Sequence, residues 1–342
     1  MTNFLKDIYN FFRLKRNEKN YSIGFFSENN FIYQYLEPYI IKKKNQHKVL
    51  IISFENLNKS YLEKKNIFVF KTKFFQELVF LTLKIKYLYS STPDLNNNIF
   101  KKSKFSNCKY IYLSHSPVSL TLIYRENAFN NFDAVQVTNT YQFDEMREIV
   151  QNKKLKTKVF KSKYLFIKNH QQKIKLENYE TDVLIAPSWN SSFYRNKCHL
   201  LLNDLFKKKK LSFKLRPHPM SYKKNEISNN ELIKEGIDTD NGQVIDFQKF
   251  NFLISDWSGI FIEYSLVTRK QSFIINTPKK MLNKNYIKFK TKPIEIDLRN
   301  ILGKTYEISE ISKMVDEIYN FKNSSVDKID PNFQKKLDQI FY

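Results

Sequence analysis

Short, densely apolar runs alternate along this chain with longer stretches whose apolar residues recur every three or four positions. The short runs predict strands at Ser22–Ser27, Lys48–Ser53, Ile67–Phe70, Tyr110–Leu113 and Ala134–Val137, and the longer period predicts helices at Phe31–Lys43 and Gln142–Val150. A Lys-rich, weakly patterned connector, Gln151–Glu180, interrupts the alternation. A second series then gives strands at Val183–Ala186, Ser212–Leu215, Phe252–Ile254 and Ser272–Ile275, with helices near Tyr194–Lys207 and at Ser258–Val267. Helical patterns return at Ile308–Phe321 and Asn332–Phe341. Alternating strands and helices imply parallel sheets covered on both faces. Two such series predict an α/β chain of two doubly wound, Rossmann-like domains facing across a cleft. The implied boundaries are an N-terminal helix over 1–20, a first domain over 21–170, a second over 180–307 and C-terminal helices over 308–342.

The first sixteen residues form a helical pattern of their own. Phe4, Leu5, Ile8, Phe11 and Phe12 fall together, with Lys6, Arg13, Lys15 and Arg16 mostly elsewhere on the wheel. Such a helix either packs on its own domain or lies on an anionic membrane surface.

Composition narrows the partners. The 342 residues are 42% hydrophobic and 16% aromatic, enough for real cores. Two cysteines, Cys108 and Cys198, supply neither a disulfide framework nor a metal-ligand spacing, which suits a reducing, cytoplasmic compartment. The formal charge of +24 comes mainly from Lys, and the accompanying wealth of Asn and Ile makes coding bias part of its cause. What remains is a surface attractive to anions: nucleic acid, anionic lipid or phosphorylated small molecules. No secretory signal is visible, and the most apolar long stretch, Phe74–Tyr89, is broken by Glu77, Lys84 and Lys86. The expected location is cytoplasmic, or peripheral on the inner face of the cytoplasmic membrane.

Candidate chemistry gathers where predicted strands end. In open α/β sheets ligands bind beyond the carboxyl ends of the strands. His115 follows one such strand in the first domain, where a neutral imidazole could act as general base; a capping role is the plainer account. Arg216 and His218 follow the strand ending at Leu215, with Pro217 and Pro219 stiffening the backbone between and after them. A guanidinium there suits phosphate oxygens, or an interdomain ion pair. Ser255 and Asp256 end the next strand, and Ser258-Gly259 open a helix whose free N–H groups suit an anion; ordinary capping explains them too. Glu263, in the second turn, could accept from a ribose diol or face solvent. Ser188 ends the strand Val183–Ala186 and could line the same cleft, while Trp189 is expected to fill a core. Asp238-Thr-Asp240, between Gly236 and Gly242, imitates a metal motif and is read as a turn; no metal site is expected. Walker A, G-x-G-x-x-G, H-E-x-x-H, C-x-x-C and G-x-S-x-G are all absent, which argues against the chemistries they serve.

These motifs carry a family likeness. Ala186-Pro-Ser-Trp189, Arg216-Pro-His-Pro219 and Ser255-Asp-Trp-Ser-Gly-Ile-Phe-Ile-Glu263 resemble, in order and approximate spacing, the CDP-glycerol glycerophosphotransferase family. These are the teichoic-acid-type primases and polymerases. Phe25–Glu28, Thr92–Leu95, His115–Ser119, Tyr124, Ala128–Asp133 and Pro293–Arg299 resemble blocks of a short subgroup, so the likeness runs from about residue 22 to 305. The usual pattern has His-Gly where this chain has His115-Ser116. The resemblance implies a GT-B-like fold, with the nucleotide-linked donor on the C-terminal domain and the acceptor entering from the N-terminal side. His115 and His218 fall on the essential histidines, Arg216 and Ser258 on phosphate-contacting positions, and Glu263 on the following helix. The implied reaction moves an alditol phosphate from a CDP-linked donor to a hydroxyl of a lipid-linked or glycan acceptor and releases CMP, with no further cofactor. Two alternatives stand beside it: a GT-B glycosyltransferase using a nucleotide sugar in surface polysaccharide synthesis, and a non-catalytic basic protein on nucleic acid or membrane. No RRM or helix-turn-helix pattern supports specific nucleic-acid binding.

Overall fold

A computed structural model describes residues 2–58, 60, 62–97, 99–167, 179–189, 192–241, 245–323 and 331–341. Two parallel sheets organise the chain. The first has seven strands, β1 Ile23–Ser27, β2 Val49–Ser53, β3 Ile67–Val69, β4 Tyr87–Ser90, β5 Lys109–Leu113, β6 Ala134–Val137 and β7 Lys158–Lys161, in the order β3-β2-β1-β4-β5-β6-β7. The second has five, β8 Thr181–Ile185, β9 Phe213–Leu215, β10 Phe250–Ser255, β11 Ser272–Ile275 and β12 Gly303–Tyr306, in the order β12-β11-β10-β8-β9. All ladders within both sheets are parallel. The strand order reverses between β1 and β4 in the first sheet and between β8 and β10 in the second, and such reversals open the crevices that ligands use.

Strand sequences explain why both faces are covered. Val49 and Ile51 enter one core while Leu50 and Ile52 enter the core on the opposite face; Leu184 does the same against Val183 and Ile185 in the second sheet. Helices α1 Asn3–Asn17, α2 Asn30–Lys44, α3 Lys73–Thr82 and α4 Thr140–Asn152 pack around the first sheet, and α5 Cys198–Lys209, α6 Ile260–Thr268, α7 Ile311–Asn323 and α8 Pro331–Ile340 around the second. Among the described residues no helix is long and apolar enough to cross a membrane.

Four elements depart from the sequence pattern. β4 is short and preceded by Lys84 and Lys86, yet sits near the centre of its sheet. β7 and β12 are edge strands, and lysines with exposed side chains make them resemble loops; edge strands carry such charges to resist pairing with other chains. α3 occupies only the first part of Phe74–Tyr89, the stretch weighed as a membrane span, and β4 begins before its end. The α3 N-terminus is held by Asp7, a fully buried residue of α1, which accepts from the Thr72 backbone at 2.7 Å, the Thr72 hydroxyl at 2.7 Å and the Lys71 backbone at 3.0 Å. Asp7 and Leu14 thereby pin α1 to its own domain. Within the connector Gln151–Glu180, residues 168–178 lie outside the described set.

The two domains are joined by more than the connector. The backbone of Ser119 donates to both oxygens of Glu295 (3.0 and 3.1 Å), and its hydroxyl donates to Glu145 (2.5 Å). Burial pushes Glu145 up to about 8 and Glu295 to about 7, so near neutrality both carboxyls are partly protonated. Lys290 donates its backbone N–H to Glu148 at 2.7 Å, Tyr141 bonds Asp297, and Phe341, just past α8, pairs with Asn139. The second domain thus reaches over the first at several points beside the cleft.

Candidate active site

A cavity of ≈ 460 Å³ lies between the domains. His115, Arg216, His218, Ser258, Gly259 and Glu263 all line it, although they come from three strand ends and one helix start in two sheets. Short strand-to-loop connections aim these side chains into one space because every strand of a parallel sheet ends on the same edge.

His115 follows β5. Burial brings its imidazole down to about 4, while a hydrogen bond with the Ser91 backbone favours protonation. The ring is therefore neutral at pH 7. Its Nδ1 stands 3.4 Å from the Tyr112 hydroxyl, which donates to Tyr124 at 3.1 Å. His218 is also neutral, brought down to about 3 by burial and by the Lys280 and Arg216 cations. Its Nδ1 accepts from the Met220 backbone at 3.1 Å, capping the short helix Pro219–Lys223. A neutral ring accepting at Nδ1 carries its hydrogen on Nε2, so His218 is a hydrogen-bond donor to whatever occupies the cavity.

Arg216 is held in place by Asp240, whose Oδ2 accepts at 2.7 Å. Asp238-Thr-Asp240 is consequently more than the turn expected from its sequence. Its backbone pairs with β9 through Leu215, and its second carboxylate orients the guanidinium. Gly242 of that loop lies outside the described residues. Among the described residues no cluster of His, Cys, Asp or Glu could hold a metal ion.

The start of α6 has Gly259 as its N-cap, with no side-chain cap. The Ile260 and Phe261 N–H groups reach only the Ser258 hydroxyl and carbonyl, each at 3.5 Å, so they are weakly engaged where an anion would approach. Gly259 has a second role. A Cβ there would lie 2.3 Å from Val118 Cγ1 and 3.1 Å from Ser116 Oγ, across the domain boundary. Gly259→Ala is expected to lower turnover about 10²-fold by prising these walls apart. Adding Val118→Ala should restore much of the loss in the same steady-state assay; a double variant as slow as the single one would reject the steric account.

Glu263 does not face solvent. It is buried, pushed up to about 7 by burial against the favourable Tyr164 bond and Arg216 charge. The Tyr164 hydroxyl lies 2.5 Å from Glu263 Oε1 and 2.9 Å from the carbonyl of His115, tying the helix of one domain to the histidine loop of the other.

Three sequence-predicted residues lie beneath the cavity wall rather than on it. Asp256, fully buried, accepts from the Ser188 backbone (2.7 Å), the Ser188 hydroxyl (3.1 Å) and Thr277 (3.2 Å). Ser255 donates to the Ala186 carbonyl at 2.8 Å. Together they lock the ends of β8, β10 and β11, and they keep a carboxylate off a surface suited to anions. Trp189, expected in a core, lines the cavity instead, with the Lys280 and Lys224 ammonium groups 4.5 and 4.2 Å from its ring centre.

Lys280 is the residue that sequence reading missed. It lines the cavity at 8% exposure and, among the described residues, makes no hydrogen bond or ion pair. Burial brings its ammonium down to about 8. One lysine in so basic a chain attracts no notice, yet it lies just past the predicted strand Ser272–Ile275, where the strand-end rule would have found it.

A second cavity, ≈ 620 Å³, lies at the carboxyl ends of β1, β2 and β4, where the first sheet's strand order reverses. Glu28, Lys73, Glu77, Thr92, Phe54 and Phe100 are among its lining residues. Among the described residues the buried Thr92 hydroxyl has no hydrogen-bond partner. Thr92 directly follows Ser91, the backbone partner of His115.

No protein-family model and no curated protein matches the chain. Solved structures do. UDP-N-acetylglucosamine 2-epimerase from Rickettsia bellii superposes with a TM-score of 0.52 at 11% identity, covering 92% of both chains. A glycosyltransferase from Rickettsia africae gives 0.50 at 14% identity over 94% of both. A UDP-N-acetylglucosamine 2-epimerase from Listeria monocytogenes gives 0.50 at 7% over 88% of both. At such identities the likeness concerns architecture, and with the two facing parallel sheets it gives the chain the GT-B fold.

Proposed function

We propose that the protein is a transferase of surface-glycan synthesis that moves a group from a nucleoside-diphosphate-linked donor to an acceptor hydroxyl. The observation that carries this reading is the shared cavity into which one sheet sends His115 and the other sends Arg216, His218, Lys280 and the start of α6. The nucleotide would sit at the reversal between β8 and β10, with its diphosphate against Ser258 and Gly259. Arg216, Lys280 and the Nε2–H of His218 would neutralise charge on the leaving phosphate, contributions typically of about 10²–10³ each in rate. The acceptor would approach from the second cavity, and His115 would take the proton of its hydroxyl. A diphosphate beside His115 raises its basicity, because negative charge stabilises imidazolium.

Two forms of the reaction fit this site. Glycosyl transfer, in which the acceptor oxygen attacks the anomeric carbon and a nucleoside diphosphate leaves, has the support of the glycosyltransferase and UDP-sugar enzymes that share the fold. Alditol-phosphate transfer, in which the oxygen attacks the β-phosphorus and CMP leaves, has the support of the Arg216–Pro219 and Ser255–Glu263 motifs. Purified protein incubated with UDP-N-acetylglucosamine, other UDP-sugars, CDP-glycerol and CDP-ribitol, with glycan and lipid-linked acceptors, separates them by the released nucleotide. UDP release marks the first form and CMP release the second. Turnover of UDP-N-acetylglucosamine without acceptor would favour the activity named for the epimerase structures. No turnover and no thermal stabilisation by any donor would reject the proposal, since a ligand at about 100 times its Kd adds roughly 2.7 kcal/mol.

A further inference from the structure

The outer face of α1 carries a pattern that neither its own domain nor the cleft uses. Leu5, Tyr9, Phe12 and Arg16 recur at i, i+4, i+7 and i+11, one stripe along the helix. The first three are 51%, 62% and 67% exposed. Phe4 on α1 and Phe74 on α3, 50% and 62% exposed, extend the stripe, joined by the Phe75 ring at centroid distances of 5.5 and 5.1 Å. The helix already meets its domain through Asp7, Ile8, Phe11 and Leu14. Nothing in that packing requires the opposite face to be aromatic.

The charge on this face has one sign. Both carboxylates of residues 2–20 are buried and engaged: Asp7 on the start of α3, and Glu18 with Lys15 at 3.0 Å and the Lys84 backbone at 3.2 Å. Lys6, Arg16 and Lys19 remain exposed, as do Lys71, Lys73 and Lys84 flanking α3. The nearest partly exposed carboxylate on α3, Glu77, lies one turn beyond Lys73.

We propose that this face docks the protein on an anionic phospholipid bilayer. α1 lies parallel to the surface, the aromatic stripe enters the headgroup–acyl boundary, and the surrounding cations meet lipid phosphates. A convex row of aromatics ringed by lysines matches a deformable anionic plane, and the net charge of +24 draws the molecule toward it. Docking also bears on the second cavity. Lys73 and Glu77 line that cavity while the adjacent Phe74 lies on the docking face, so its rim would face the membrane, where an amphiphilic acceptor resides. This last consequence rests on the proposed function; the docking does not.

The test is co-sedimentation of the full chain with phosphatidylglycerol-containing and phosphatidylcholine-only vesicles at about 0.1 M salt. Wild type is expected to pellet with the anionic vesicles alone and to be released by salt. The triple variant Leu5→Ser, Tyr9→Ser, Phe12→Ser should lose about 10²-fold in vesicle affinity, with its thermal midpoint and donor turnover unchanged. In a Phe12→Trp variant, the added fluorescence should shift to the blue with anionic vesicles only. Equal binding by the triple variant, or no preference of wild type for anionic lipid, overturns the proposal. So does a triple variant that loses poly-uridylate binding or a concentration-dependent dimer instead, because the face would then belong to nucleic acid or to a second copy.

Discussion

Replacing His115 with alanine is expected to lower kcat about 10²–10⁴-fold while leaving the donor Kd unchanged. The split follows from position. The groups proposed to bind donor follow strands of the second sheet, whereas His115 follows the end of β5 in the first. Its imidazole, brought down to about 4 by burial, is already in the proton-accepting form at neutral pH. Protonation at lower pH would disable it, so kcat/KM should fall below an acid limb near that value. His218→Ala is expected to behave differently, weakening donor binding along with turnover, because in the proposed scheme its Nε2–H would donate to the leaving phosphate, and its neighbours are cations. Isothermal titration with donor, paired with steady-state rates, reads both. Unchanged donor turnover in His115→Ala would remove the base from the scheme.

Lys280→Met is expected to make the protein more stable and less active at once. Among the described residues this buried ammonium has the Trp189 ring against it but no hydrogen bond or ion pair, and such burial costs free energy. A fall from 10.5 to about 8 corresponds to about 3 kcal/mol. The sign follows from linkage. A lysine whose folded value is lowered destabilises the fold fully below about pH 8, and that cost disappears as pH rises toward 10.5. The thermal midpoint of Lys280→Met should therefore exceed that of wild type at pH 7 and converge with it at high pH. Donor affinity and rate should fall together, by about 10²–10³ in kcat/KM. Wild type should also lose kcat/KM above about pH 8 as the ammonium deprotonates, and Lys280→Arg should move that alkaline limb upward. A less stable Lys280→Met protein with unaltered donor affinity would remove the ammonium from the donor site and give it a structural role instead.

Which parts of this site could be read from residues alone is clear from particular cases. β2, β5, β6, β8 and β11 announce themselves because most of their residues are apolar, as expected of buried parallel strands. The end of β5 then points to His115, and the ends of β9 and β10 to Arg216, His218 and Ser258. β7 hides because an edge strand carries its lysines outward. Asp256 and Ser258, two residues apart, look equally poised for a phosphate, but one is swallowed by Ser188 and Thr277 while the other lines the cavity. Asp240 looks like a turn residue until Arg216 is seen to grip it.

Local periodicity decided the alternation of strands and helices and the edge on which chemistry gathers, because burial of a strand or helix is written into its own apolar spacing. Distant contact decided which polar groups face the cavity, which brace its wall, and that Lys280 is buried against the Trp189 ring. Those fates depend on partners tens of residues away, and no pattern within a single segment records them.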